Sequence, residues 1–234
     1  MENNKYFLPI SVVAAGLLIA GAVVWNGSQP SAGTGDTKAQ TADIKNIKTE
    51  GNPFIGQANA PVTIAFWSDF QCPYCKAFET GGVPQITTPA AFPQILKNYV
   101  DTGKVKVVFM DFAFLSEDSM TAAEYSRGVW KLYPEQYFAW RTAMYKAQDE
   151  EHGGFGDEAS IKLLTAKIAG IDVAKLAADV AANQDAYDTM IEADKAQATK
   201  AGIQATPSFV IGTKVIAGAY PYATFQAAID PLLK

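Results

Sequence analysis

The run Val62-Thr63-Ile64-Ala65-Phe66-Trp67 is continuously apolar, β-branched or aromatic apart from one threonine, the pattern of a buried strand. Phe54-Ile55, a few residues earlier, reads as a short edge strand. Further on, Pro89 to Tyr99 reads as a helix ending at Asp101-Thr102-Gly103, and Val105-Lys106-Val107-Val108-Phe109-Met110 as the next strand. Strand, helix and strand make a βαβ unit, so the two strands should be parallel and joined by a right-handed crossover.

The apolar period then becomes helical. Ala122, Tyr125, Val129 and Leu132 share one face, as do Tyr137, Trp140 and Met144, and then Ile161, Leu164 and Ile168. Asp157 and Asp172 stand where N-caps belong, and Gly170 and Gly202 where helices stop, which predicts a block of helices from about Ser116 to Ala201. Strand character returns with Ser208-Phe209-Val210-Ile211 and Lys214-Val215-Ile216. Between them Gly212-Thr213 suits a type II′ hairpin turn. An amphipathic helix carrying Phe225, Ala228, Ile229 and Leu232 closes the pattern, and no internal repeat is visible.

The first part of the chain has a different pattern. Leu8 to Trp25 is uncharged, and as a helix it would rise about 27 Å, close to the ~30 Å hydrocarbon core of a bilayer. Lys5 precedes it and no Lys or Arg follows until Lys38, so the charge bias favours a cytoplasmic N-terminus and an exported body. A cleaved signal peptide competes with an uncleaved anchor. Ala20-Gly21-Ala22 has the A-x-A form, but a cut there leaves Val23-Val24-Trp25 on the mature end, and the apolar run is long for a signal, which favours the anchor. No Cys lies near the run, which excludes a lipoprotein anchor. Residues Asn26 to Asn52, rich in Gly, Ser, Thr, Ala and Gln, read as a flexible tether. The domain reading is therefore 1–25 membrane anchor or signal segment, 26–52 linker and 53–234 a folded domain.

At 234 residues the chain can bury one good core. Its net charge of −5, with no basic stripe to offset phosphates, argues against nucleic acid as a partner.

The two cysteines, Cys72 and Cys75, stand three residues apart in Cys72-Pro73-Tyr74-Cys75 and are the only ones in the chain. A structural disulfide closing so short a loop gains only about 2 kcal/mol, and a structural zinc site wants four Cys or His ligands where the chain adds only His152. No metal and no cofactor are therefore expected. His152 itself lies in a polar, Gly-rich loop and reads as surface. A strand, a C-x-x-C and a helix point instead to a thioredoxin-like redox site. Cys72, as N-cap, would put its sulfur near the unpaired N–H groups of the following helix, which favour the thiolate. Pro73 suits the first helical position, and Cys75, one turn further in, would be the shielded resolving thiol. Asp69 and Glu79 flank this helix and could tune the thiols if buried, although exposure is the default for carboxylates. Trp67, Trp130, Tyr137 and Trp140 read as core.

Two longer stretches carry a resemblance. Gly56-Gln57-Ala58-Asn59-Ala60-Pro61-Val62-Thr63-Ile64 with Ser68-Asp69-Phe70-Gln71-Cys72-Pro73-Tyr74-Cys75, and Ala201-Gly202-Ile203-Gln204-Ala205-Thr206-Pro207-Ser208-Phe209-Val210-Ile211-Gly212, resemble the two ends of the DsbA-like thiol oxidoreductases. The likeness covers Pro53 to Lys234. It implies an α/β, thioredoxin-like fold with an inserted helical domain at about 116–201, a cis bond at Thr206-Pro207 beside the sulfurs, and substrate pairing with the backbone there. It also implies a dithiol oxidase for reduced or unfolded exported polypeptides, reoxidised by a membrane quinone-linked partner of the DsbB or vitamin-K epoxide reductase type. Isomerases of this kind dimerise through a folded N-terminal domain, and the Asn26 to Asn52 tether in its place favours a monomer. Tyr74 departs from the His that many such oxidases carry, and Cys-Pro-Tyr-Cys also looks like the motif of glutaredoxins and of an isomerase-like relative. A disulfide isomerase or reductase, or a tethered binding module without redox turnover, remain the alternatives.

Overall fold

The computed structural model describes residues 42–149 and 153–234. The apolar run Leu8 to Trp25, the first part of the tether and His152 lie outside the described residues. Among the described residues no helix is long and apolar enough to cross a membrane.

Five strands form one sheet in the order β1 (Phe54–Ile55), β3 (Val105–Asp111), β2 (Val62–Ser68), β4 (Ser208–Ile211), β5 (Lys214–Ala217). β2 and β3 run parallel, with Phe66 opposite Phe109, as a βαβ unit requires. β1 pairs antiparallel with β3, and β4 with both β2 and β5. The central strands are apolar on both faces because both faces are covered. Ile64, Phe66, Val107, Phe109, Phe209 and Ile211 belong to one apolar cluster, while Ala65, Trp67, Val108, Met110 and Val210 belong to another. Phe66 stacks on Phe209 with ring centroids 4.6 Å apart, and Phe209 meets Phe225 edge-on at 4.8 Å. Offset and edge-on pairs of this kind add about 0.5–1.5 kcal/mol beyond the area they bury.

The helices are α1 (Pro73–Glu79), α2 (Phe92–Ile95), α3 (Glu117–Leu132), α4 (Tyr137–Ala147), α5 (Glu158–Thr165), α6 (Val173–Lys200) and α7 (Tyr222–Ile229). α2 starts at Phe92, later than Pro89, and passes into a π-helical turn over Leu96–Val100. Three of the four caps are where the sequence puts them, while Gly170, at φ +91, lies beyond the end of α5 at Thr165. Asp157 accepts from Ser160 N at 2.8 Å and Asp172 from Lys175 N at 3.0 Å, opening α5 and α6. Gly202, at φ +74, ends α6, with Ile203 N bonded to Ala198 O at 2.8 Å. Gly212, at φ +58, takes the first loop position of the hairpin, as a primed turn needs.

The tether reading reaches too far along the chain. Residues 42–52 pack against the body: Ile44 N donates to Gly212 O, and Lys48 and Gln197 exchange backbone-to-amide bonds of 2.6 and 3.2 Å. Ile44 and Ile47 lean on the second apolar cluster, and Asn52 is buried. Two isoleucines among polar residues make no period, so only the sheet face they cover reveals the segment as structured.

Candidate active site

Cys72 closes the link between β2 and α1 in extended conformation, φ −77 and ψ 118, and Pro73 occupies the first helical position. Its carbonyl accepts the first two helical bonds, from Cys75 N at 3.1 Å and Lys76 N at 3.2 Å. The sequence therefore builds a helix start whose N-cap is a cysteine. Both sulfurs are thiols; Cys72 is 5% exposed and Cys75 is fully buried. Tyr74, between them, is 55% exposed.

The Thr206-Pro207 peptide bond is cis, and Cys72 Sγ lies 3.3 Å from Thr206 O. As a thiol, Cys72 donates to that carbonyl. A thiolate can only accept, and Thr206 Oγ1, buried and without a partner of its own among the described residues, stands ready to donate to it. The tertiary fold thus brings together Cys72, Cys75, Thr206 and Pro207, which are far apart in sequence.

The two thiols differ in acidity. Hydrogen bonding from Cys75 does most to bring Cys72 down to about 7, against the upward push of burial, and the Thr206 hydroxyl and the N–H groups of Cys75 and Tyr74 add to it. Burial, and then Cys72 itself, push Cys75 well above the usual thiol range. An exchange site needs this asymmetry, with one sulfur that leaves readily and one that holds its proton.

The default of exposure for Asp69 and Glu79 is corrected: they are 1% and 5% exposed. Asp69 accepts from the backbone N–H groups of Gln71 at 2.8 Å, Phe114 at 3.0 Å and Leu115 at 3.3 Å, which ties the active-site loop to the chain leaving β3. Burial raises its carboxyl, and these bonds oppose the rise. Glu79 pairs with Arg141 of α4, whose guanidinium also donates to Ser68 Oγ at 2.8 Å and lies 4.1 Å from the Phe109 ring centroid. Burial raises Glu79 as well, opposed by Arg141.

Gln71 donates to Phe155 O at 3.0 Å, and Gly156, at φ +133, makes room for it, since a Cβ there would come within 2.0 Å of Gln71 Nε2. Gln148, just past α4, donates to the carbonyls of Phe70 at 2.6 Å and Cys72 at 3.2 Å. The sequence reading missed Arg141 and Gln148. Arg141 carried a faint signal, lying four residues after Tyr137 and beside Trp140 on an otherwise apolar face. Gln148 carried none.

The family model described as thioredoxin matches residues 48–231. In sequence the chain is 27% identical over 185 residues to disulfide bond formation protein D of Bacillus subtilis, spanning 79% of this chain and 78% of that protein. It is 24% identical to the probable disulfide bond formation protein D of Bacillus anthracis, over 100% of each. In three dimensions it is similar to oxidised BdbD from Bacillus subtilis, with TM-score 0.71 and 26% identity, covering 83% of this chain and 98% of the other. It is also similar to the thiol-disulfide exchange protein α-DsbA2 from Wolbachia pipientis, with TM-score 0.64 and 26% identity, covering 77% and 87%.

Proposed function

Because the chain belongs to the thioredoxin family, we propose that it is a DsbA-like thiol:disulfide oxidoreductase whose Cys72–Cys75 disulfide oxidises dithiols in other polypeptides. The observation that carries this reading is the unequal pair, Cys72 brought down to about 7 and Cys75 pushed well above the thiol range. The names of its relatives, disulfide bond formation proteins, support the same direction.

The exchange runs in two displacements. A substrate thiolate attacks Cys72 Sγ, the Cys72–Cys75 bond breaks, and Cys75 leaves as a thiolate that takes up a proton. A second substrate thiolate then attacks the substrate sulfur of the mixed disulfide and expels the Cys72 thiolate. Two electrons pass from the substrate dithiol to the pair, and the substrate gains one disulfide. The last step is favoured because Cys72 is a good leaving group in its site. Thr206 supplies a hydroxyl toward the departing sulfur, and the backbone beside Pro207 is the pairing edge for the substrate strand.

The reading places the body outside the cytoplasm, with Leu8 to Trp25 as its anchor, supported by the apolar length and the Lys5 to Lys38 charge asymmetry. Reoxidation of the dithiol falls to a membrane partner of the DsbB or vitamin-K epoxide reductase type. Tyr74 offers a neutral phenol where an imidazolium would favour the thiolate further, so an isomerase or reductase poise is the second reading.

Mixing the oxidised protein with a reduced, unfolded two-cysteine polypeptide and counting thiols separates the two. Stoichiometric transfer of the disulfide is expected. A reduction potential as low as about −270 mV, that of thioredoxin, would reverse the direction and count for a reductase.

A further inference from the structure

The carbonyl oxygens of Phe70 and Cys72 are held by one side chain from the helical insertion. Gln148 is 4% exposed, and its Nε2 lies 2.6 Å from Phe70 O and 3.2 Å from Cys72 O. An amide nitrogen has two hydrogens, and both are used here. The reverse orientation would set Oε1 against two carbonyl oxygens, so the chemistry of the contact decides which end faces the loop. The consequence is that Gln148 Oε1 is buried without a hydrogen-bond partner among the described residues. Such an orphan acceptor is costly, and the two donated bonds are what offset it.

The link runs both ways. Lys76 of α1 donates from Nζ to Gln148 O at 2.5 Å, while Gln148 N closes α4 on Met144 O at 3.0 Å. Three donors therefore converge on Cys72 O, two from α1 and one from Gln148. The carbonyl direction at an N-cap residue sets its ψ, and ψ sets how the side chain stands to the N–H groups of the first turn. No other side chain among the described residues donates to Cys72 O.

We infer that Gln148 is a positioning residue for thiol exchange: by holding the Cys72 carbonyl from outside α1 it fixes the Cys72 sulfur against the backbone N–H groups that begin the helix. The inference rests on Cys72 being the exchanging sulfur. It makes the helical insertion part of the redox site, since α4 sets the place of Gln148.

The test uses the full-length reduced protein and its Gln148→Leu and Gln148→Glu variants, following thiolate absorbance and alkylation rate against pH alongside denaturant unfolding. Leu removes both donors, and the thiolate fraction of Cys72 at neutral pH should fall roughly fivefold, a titration shift of under one unit. Glu keeps the shape, but it can donate only while protonated and then through one bond. Its alkylation profile should approach the wild type at acidic pH and drop away as the new carboxyl ionises. Should Leu prevent folding, the Glu profile decides by itself. Lowered unfolding midpoints with an unchanged Cys72 titration in both variants would reduce Gln148 to a structural role and overturn the inference, leaving the exchange reading intact. A wild-type Cys72 that titrates in the ordinary thiol range would instead overturn both.

Discussion

Arg127 Nη2 lies 2.6 Å from Asp194 Oδ2, and the same nitrogen lies 2.6 Å from Asp111 Oδ2, so one buried cation serves two buried carboxylates. Asn52 completes the group, accepting from Arg127 and donating to Asp194 Oδ1 at 3.2 Å. This cluster joins the segment before β1, the end of β3, α3 and α6, and it fastens residues 42–52 to the body.

Burial, and then the neighbouring Asp111 charge, push Asp194 up to about 6 against the pull of Arg127. A carboxyl raised on folding binds its proton more tightly in the native state. Its contribution to stability is therefore full below the unfolded value near 3.8 and is lost as pH rises through about 6. The loss amounts to about 3 kcal/mol at most, by the conversion of about two pH units. Asp194→Asn, which does not titrate, should show a flatter stability profile between these pH values than the wild type. Denaturant unfolding at a series of pH values checks this, and parallel profiles would refute the assignment.

Arg141→Met should be among the most damaging single changes near the site. Both partners of the Arg141–Glu79 pair are 2% exposed in their side chains, and removing the cation leaves a buried carboxylate without compensation. Breaking such a pair costs about 3–5 kcal/mol. Because burial already raises Glu79, it would take up a proton in the variant, and the deficit should shrink as pH is lowered. Adding Glu79→Leu should restore much of the stability at neutral pH. Urea midpoints for the two single variants and the double variant measure the coupling directly.

Thr206→Val separates reactivity from stability. The change keeps the shape and removes a hydroxyl that has no partner among the described residues in the dithiol form, so the unfolding midpoint should stay the same or rise slightly. It also removes a donor to the Cys72 thiolate, worth about 1 kcal/mol, so the Cys72 titration should move upward by somewhat less than one unit. Alkylation of the reduced protein against pH reads the shift. A titration that stays at about 7 would remove Thr206 from the account of the thiolate.

Cys75→Ser should accumulate the mixed disulfide. With no second thiol in the pair, the bond between Cys72 and a substrate cysteine has no internal route to resolution. Mass spectrometry after incubating the reduced variant with an activated disulfide, whose leaving thiol is expelled as Cys72 attacks, should find the adduct on Cys72. Cys72→Ser should give almost none, because Cys75 is fully buried and burial keeps it protonated.

The features legible in the sequence are those that neighbours along the chain create. The apolar runs at Val62 and Val105 become parallel strands, Asp157 and Asp172 cap their helices, and Cys72 begins α1 with Pro73 behind it. Helix starts, strand runs and turns depend on side chains within a few positions, so their signals lie in the local pattern. The cis bond at Thr206-Pro207 was legible by another route, a resemblance in the surrounding residues and not any local physical pattern.

What only the tertiary structure decided is the fate of the polar residues that partners far along the chain bury and satisfy. Asn52 meets Asp194 across 142 positions, Glu79 meets Arg141 across 62, and Gln148 reaches Cys72 across 76. Apart from the apolar face that Arg141 interrupts, nothing local distinguishes these residues from solvated ones, because the cost of burying them and the bonds that offset it appear only once the chain has folded back. The same holds for the acidity of Cys72: the helix start that favours a thiolate is written at Cys72-Pro73, but the Thr206 hydroxyl and the burial that opposes it come from the fold.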